Sequence, residues 1–119
     1  MRVLIVEDSP VARIMLAEML GLRGHQMVAE ADNELRAVEA YRKLKPDLVT
    51  LDLSLGTENG LHVLKSLRQI DSKARVLVIS GNPQKGIVEQ VMASGAAAFI
   101  TKPFTIADLE SAIARAAKI

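Results

Sequence analysis

Five short apolar runs alternate along this chain with five stretches of helical spacing, and that alternation decides its architecture. The runs are Val3–Val6, Gln26–Glu30, Asp47–Leu53, Arg75–Ile79 and Ala98–Thr101. They are too short for helices, rich in Val, Leu and Ile, and mostly continuous rather than alternating with polar residues. Such strands are buried on both faces, which requires a parallel sheet with helices on either side. Right-handed crossovers leave few ways to connect five βα units. The expected fold is α/β: a three-layer, doubly wound (βα)5 domain over residues 1–119, flavodoxin-like, with strand order 2-1-3-4-5.

The helices carry their own signals. Ser9-Pro10 offers an N-cap followed by proline at the first helical position, where its missing N–H costs nothing. Apolar residues at 11, 12, 15, 16, 19 and 20 then recur at helical spacing up to Leu22, and Gly24 stops the run. Asp32-Asn33 caps a second helix with Ala37, Val38, Tyr41 and Leu44 as its stripe, closed by Pro46. A third follows Asn59-Gly60 with Leu61, Leu64 and Leu67 inward. A fourth is expected over 84–94, turning Ile87, Val88, Val91 and Met92 inward, with Gly95 as its stop. Thr105-Ile106-Ala107-Asp108 reads as a capping box opening the last helix, with Leu109, Ala112, Ile113 and Ala116 inward.

The third run ends on Asp52. An acid closing a buried strand needs a cation or hydrogen-bond donors. In a doubly wound sheet, ligands bind beyond the carboxyl ends of the strands, at the switch point between strands 1 and 3. Glu7 and Asp8, Asp52, Ser80 and Lys102 are therefore expected to share one site. Three carboxylates there call for a cation among them. An all-oxygen donor set suits Mg2+. Without cysteine, and with only His25 and His62, neither at a strand end, zinc does not fit. A carboxylate beside a divalent ion, a lysine and a hydroxyl points to phosphoryl transfer onto Asp52. Lys102 would neutralise phosphoryl oxygens and Ser80 would donate a hydrogen bond to one of them. His25 and His62 read as surface residues without a role.

Composition narrows the classes further. The chain of 119 residues is half apolar and about a quarter charged, with a net charge of +1. That charge does not make a strong nucleic-acid footprint. No stretch approaches the length of a membrane span, and the acidic pair at residues 7 and 8 comes too early for a signal peptide. A cytoplasmic protein is expected.

The motifs together resemble the receiver domain of two-component response regulators, and most nearly its stand-alone chemotaxis (CheY-like) type. They run from Val3-Leu4-Ile5-Val6-Glu7-Asp8 through Pro46-Asp47-Leu48-Val49-Thr50-Leu51-Asp52 to Lys102-Pro103-Phe104. The resemblance implies that Asp52 is the phospho-acceptor and Asp8 the direct carboxylate ligand of Mg2+. Glu7 would help hold the ion through water, and the backbone carbonyl of Ser54 would be a further ligand. It also implies that Ser80 is the switch hydroxyl, Phe99 the switch aromatic and Lys102 the phosphate-pairing lysine, with a cis bond to Pro103. The implied partners are a sensor histidine kinase and a downstream protein effector, such as a flagellar motor switch or another output protein. They engage the face of the fourth helix, fifth strand and fifth helix. The implied role is signalling, with autophosphorylation and autodephosphorylation as the only catalysis.

Some positions depart from the family pattern. Receivers commonly carry proline where this chain has Gly56, and methionine or leucine where it has Glu58; altered kinetics are expected from that loop. Asn82 stands where receivers tune access of attacking water. Ala96-Ala97-Ala98-Phe99 lacks the paired acids of the dimerising transcription factors, so a monomer is expected. Two other classes fit less well. A flavin mononucleotide binder needs a Ser/Thr/Gly-rich loop where Glu7-Asp8-Ser9-Pro10 stands. An aspartyl-phosphate hydrolase wants an acid where Ser54 stands. A receiver cut from a longer regulator, with a DNA-binding or methylesterase output domain, is the nearer alternative.

Overall fold

The computed structural model describes residues 1–56, 58–81 and 86–118, the side chain of Glu58 excepted. Five parallel strands form its sheet: β1 (Arg2–Val6), β2 (Gln26–Ala31), β3 (Leu48–Asp52), β4 (Val76–Ser80) and β5 (Ala98–Thr101). Their order is β2-β1-β3-β4-β5, as the alternation predicts. Five helices connect and flank them: α1 (Pro10–Leu22), α2 (Glu34–Leu44), α3 (Gly60–Ile70), α4 (Ile87–Ala93) and α5 (Ile106–Ala117).

Successive strand residues point to opposite faces, so each strand feeds two cores. Leu4, Val6, Val49, Leu51, Val76 and Val78 pack with Ala37, Tyr41, Val63, Leu64, Leu67 and Val91 under α2, α3 and α4. Val3, Ile5, Leu48, Leu77, Ile79 and Ile100 pack with Leu16, Leu20, Leu109, Ala112, Ile113 and Ala116 under α1 and α5. Thr50 and Asp52 share the parity of Leu48 and so face the α1 and α5 side.

The helix ends form where the local chemistry places them. The Ser9 hydroxyl accepts from the Ala12 N–H at 3.3 Å, with Pro10 opening α1. Asn33 caps α2 through the Arg36 N–H at 2.9 Å. Thr105 and Asp108 complete the capping box of α5, each side chain accepting from the other's N–H at 3.0 Å.

Three sequence expectations change. Of the six apolar positions on α1, Leu16 and Leu20 are buried, whereas Val11 is 66% and Met15 59% exposed. Those six positions span two adjacent stripes, and the sheet covers only one. On α4 only Val91 is buried; Val88 and Met92 lie outward. The expected start of that helix at Gln84 and the Asn82 position lie outside the described residues, as does the Glu58 side chain. Between β3 and α3, a two-residue antiparallel ladder pairs Ser54 with Asn59 and Leu55 with Glu58. Two residues per strand are too few for any periodicity to reveal.

Candidate functional site

Strand register builds the site. Val6 pairs with Leu51, so Glu7 continues β1 alongside Asp52 at the end of β3. Asp52 pairs with Ile79, which sets Ser80 one residue further along the same edge. Ser80 pairs with Thr101, and the Lys102 N–H donates to the Ser80 carbonyl at 2.9 Å, fixing where the lysine leaves the sheet. The Lys102–Pro103 bond is cis, as expected.

Glu7, Asp52 and Lys102 meet directly. Lys102 Nζ donates to Asp52 Oδ2 at 2.5 Å and to Glu7 Oε1 at 3.2 Å. The Ser54 N–H donates to Asp52 Oδ1 at 2.7 Å, and the Ser9 N–H to Glu7 Oε2 at 3.2 Å. Both carboxylates are buried; Ser80 is buried too, but lines a separate hollow with Leu53, Ser54 and Ile87. Lys102 thus places one positive charge between two of the three acids.

The charge balance remains acidic. Burial pushes the Glu7 carboxyl up to about 7, and the neighbouring carboxylates of Asp52 and Asp8 add to that rise against the Ser9 N–H. Burial alone would pull the Lys102 ammonium down, but its bonds to Asp52 and Glu7 hold it above the usual lysine range. One ammonium therefore bonds Glu7 and Asp52, with Asp8 a third acid close to Glu7.

Asp8 is exposed and neighbours Glu7 on one side and the loop after β3 on the other. A Cβ on Gly56 would come within 3.3 Å of Asp8 Oδ2, and Gly56 sits at φ +61°. Proline, fixed near φ −65°, cannot take that conformation. The departure at Gly56 is thus a different loop path, drawn close to Asp8, and not merely a looser version of the family's loop. Gly60 sets the other wall: its Cβ would lie 2.5 Å from the Leu53 Cα, so only glycine lets α3 start against the end of β3.

Among the described residues, no three Asp, Glu, His or Cys side chains already surround one ion position. Asp52 turns one oxygen to Lys102 and the other to the Ser54 N–H. The donor chemistry nevertheless fits a hard divalent cation: carboxylates in excess of the positive charge, and neither histidine nor thiol among them.

Sequence reasoning missed three residues. Arg13 Nη1 donates to the Glu7 carbonyl at 2.7 Å while its Nε lies 3.5 Å from Glu30, pinning the end of β1. Its place as the fourth residue of α1 gave no cue. Thr50, the one polar residue between the ends of β3, has a buried hydroxyl without a partner among the described residues. His25 is no free surface residue: its ring contacts the N-terminal amine (3.1 Å) and Glu110 (3.3 Å). His62 is exposed and pairs with Glu34. Phe99 stands apart from the acids, half-buried against the α2–α4 core and lining an outer hollow with Phe104 and Arg115.

The response regulator receiver domain model matches residues 3–114 of this chain. The chain belongs to that family. Receiver domains are signalling proteins rather than ordinary enzymes; they generally bind Mg2+ and interact with histidine kinases and output partners. The chain is 41% identical to the chemotaxis protein CheY of Bacillus subtilis, over 87% of this chain and 86% of that protein. It is 40% identical to the transcriptional regulatory protein PdtaR of Mycobacterium tuberculosis, over 94% of this chain but 54% of that protein. Among solved structures, the CheX-CheY-BeF3-Mg+2 complex of Borrelia burgdorferi aligns with a TM-score of 0.90 at 29% identity, covering 94% of this chain and 85% of that one. No helix among the described residues is long and apolar enough to cross a membrane.

Proposed function

We propose that Asp52 accepts a phosphoryl group from the phosphohistidine of a sensor kinase, and that residues 1–119 work as one cytoplasmic, monomeric switch. The observation that carries this is the Lys102 ammonium held 2.5 Å from Asp52 Oδ2 at the end of β3. An Asp52 carboxylate oxygen attacks phosphorus in line; the P–O bond forms as the P–N bond to the donor imidazole breaks. The chain contributes position and charge rather than acid–base groups, which is what this reaction needs.

Asp8, Asp52 and the Ser54 carbonyl would hold Mg2+, with Glu7 assisting through water. When bound, the ion supplies charge neutralisation for the phosphoryl oxygens. Lys102 pairs with one of those oxygens and exchanges part of its bond to Asp52 for it. Ser80 donates its hydroxyl to another and draws β4 toward the site. Phe99, already half-buried, fills the space Ser80 leaves. The face of α4, β5 and α5 changes with it and regulates a protein partner. Because the phosphate bonds better in the shifted arrangement, the change is a shift of population. Hydrolysis of the acyl phosphate resets the switch.

The likeness to B. subtilis CheY supports a chemotaxis or motility output such as a flagellar motor switch. The likeness to PdtaR, 40% identical and covered to 54% of its length, supports a second reading: a receiver serving a longer regulator with its own output domain. Incubation with acetyl phosphate and Mg2+ followed by intact-mass measurement tests the acceptor. One phosphate adduct is expected, and none in Asp52→Asn. No adduct, or the same adduct in the variant, overturns the assignment.

A further inference from the structure

A cleft of about 310 Å³ opens between α1 and the segment after β5, directly beneath the Lys102–Pro103–Phe104 turn. Its walls are mostly apolar, with Ala12, Met15 and Met19 of α1 on one side and Phe104 on the other; Glu7, Asp52 and Lys102 also line it. Thr50, two residues before Asp52 on the same face of β3, also lines it. The Thr50 hydroxyl is buried and has no hydrogen-bond partner among the described residues. A buried hydroxyl left unpaired is costly, so it is poised to gain from a partner.

The volume lies at the lower end of the range for small-molecule pockets. The chemistry of the walls selects the occupant. An ordered water needs two to four polar partners, and away from the end lined by Glu7, Asp52 and Lys102 the walls offer only the Thr50 hydroxyl, so water fits them poorly. An anion would meet Asp52 and Glu7 in the lining, with the Lys102 ammonium already committed to both. A cation would leave its solvation for walls of methionine and phenylalanine. A neutral body with a single hydroxyl matches both the walls and Thr50. Met15 and Met19, with unbranched side chains, let the walls adjust around it.

We propose that this cleft is a binding site for a small neutral molecule of the phenol or alcohol class, seated by Thr50 and packed under the lysine-bearing turn. An occupant beneath Lys102–Pro103–Phe104 favours the arrangement seen here, with Lys102 on Asp52, and therefore opposes phosphoryl uptake. That second part rests on the acceptor role proposed for Asp52; the binding itself does not. Coupling of this kind is reciprocal in binding free energy.

The test uses 4-ethylphenol and methyl NMR of the five methionines. Saturable shifts are expected at Met15 and Met19, with Met27 and Met92, both on other surfaces, unmoved. Thr50→Val, which keeps shape and removes the hydroxyl, weakens binding about tenfold, the loss of one hydrogen bond. Ala12→Leu, which fills the cleft, abolishes the shifts. At saturating probe, phosphorylation by acetyl phosphate slows several-fold in the native chain. Equal shifts at all methionines, or unchanged affinity in Thr50→Val, overturn the site. Site-specific shifts with an unchanged phosphorylation rate overturn the coupling alone. Failure of the Asp52 assignment would leave the methionine shifts standing.

Discussion

Glu7 and Asp52 occupy neighbouring strand ends, are each 5% exposed, and touch the same ammonium. They differ in how well they are served. Asp52 receives Lys102 at 2.5 Å and the Ser54 N–H at 2.7 Å; Glu7 receives the same two kinds of donor at 3.2 Å each. Burial, with the neighbouring carboxylates of Asp52 and Asp8, pushes the Glu7 carboxyl up to about 7, which makes it an acid placed to take a proton when charge is in excess. Equal burial therefore does not mean equal chemistry. The shorter donor contacts fall on Asp52, the proposed phospho-acceptor, and the longer ones on Glu7.

The largest expected effect breaks the comparison at Glu7. Its carboxyl titrates near 7 in the folded chain and near 4.5 when unfolded, so the folded state binds the extra proton between those values. Stability that this proton contributes is present at low pH and is lost as pH rises through about 7, by roughly 1–3 kcal/mol. Urea unfolding of Glu7→Gln in metal-free buffer should show that fall removed, leaving the variant more stable than the parent at pH 8. Parallel pH profiles would mean that Glu7 does not carry the excess charge.

Removing the shared cation comes next. Lys102→Met leaves both acids without their ammonium. A fully buried pair would lose several kcal/mol, but the Lys102 side chain is 38% exposed, so solvent screening reduces the expected loss to about 1–2 kcal/mol at pH 8. At pH 5.5 the loss should shrink, because Glu7 is then protonated. A pH-independent loss would place the lysine's contribution in packing. The smallest effect concerns the loop that separates Asp8 from Asp52. Gly56→Ala forces a side chain to φ +61° and toward the Asp8 carboxylate, for about 1 kcal/mol in denaturant unfolding. Mg2+ affinity, followed by titration, should fall with it. A neutral substitution would show that the loop re-routes freely.

Much of this arrangement is legible in the residues themselves. A strand ending in Asp52, with Glu7 and Lys102 just past the ends of two others, becomes one cluster as soon as the parallel order is known, and Ser80 ends the strand between β3 and β5. Ser9-Pro10 and Thr105–Asp108 announce their helices because capping is local chemistry. What stays hidden depends on tertiary context. Periodicity makes Val11 and Met15 equivalent to Leu16 and Leu20, and only the sheet's position decides which pair is covered. His25 looks like a loop histidine until Glu110 and the N-terminal amine arrive from opposite ends of the sequence. Thr50 reads as one more strand residue until the cleft beside α1 leaves its hydroxyl unmatched.

The central claim is that Asp52, and not its equally buried neighbour, carries the phosphoryl group. Treating the protein with acetyl phosphate and Mg2+, then reducing the acyl phosphate with borohydride and mapping peptides by mass, tests it directly. Homoserine in place of Asp52, with Glu7 and Asp8 intact, is the predicted result. Reduction at Glu7 or Asp8, or at no acidic residue, would contradict it.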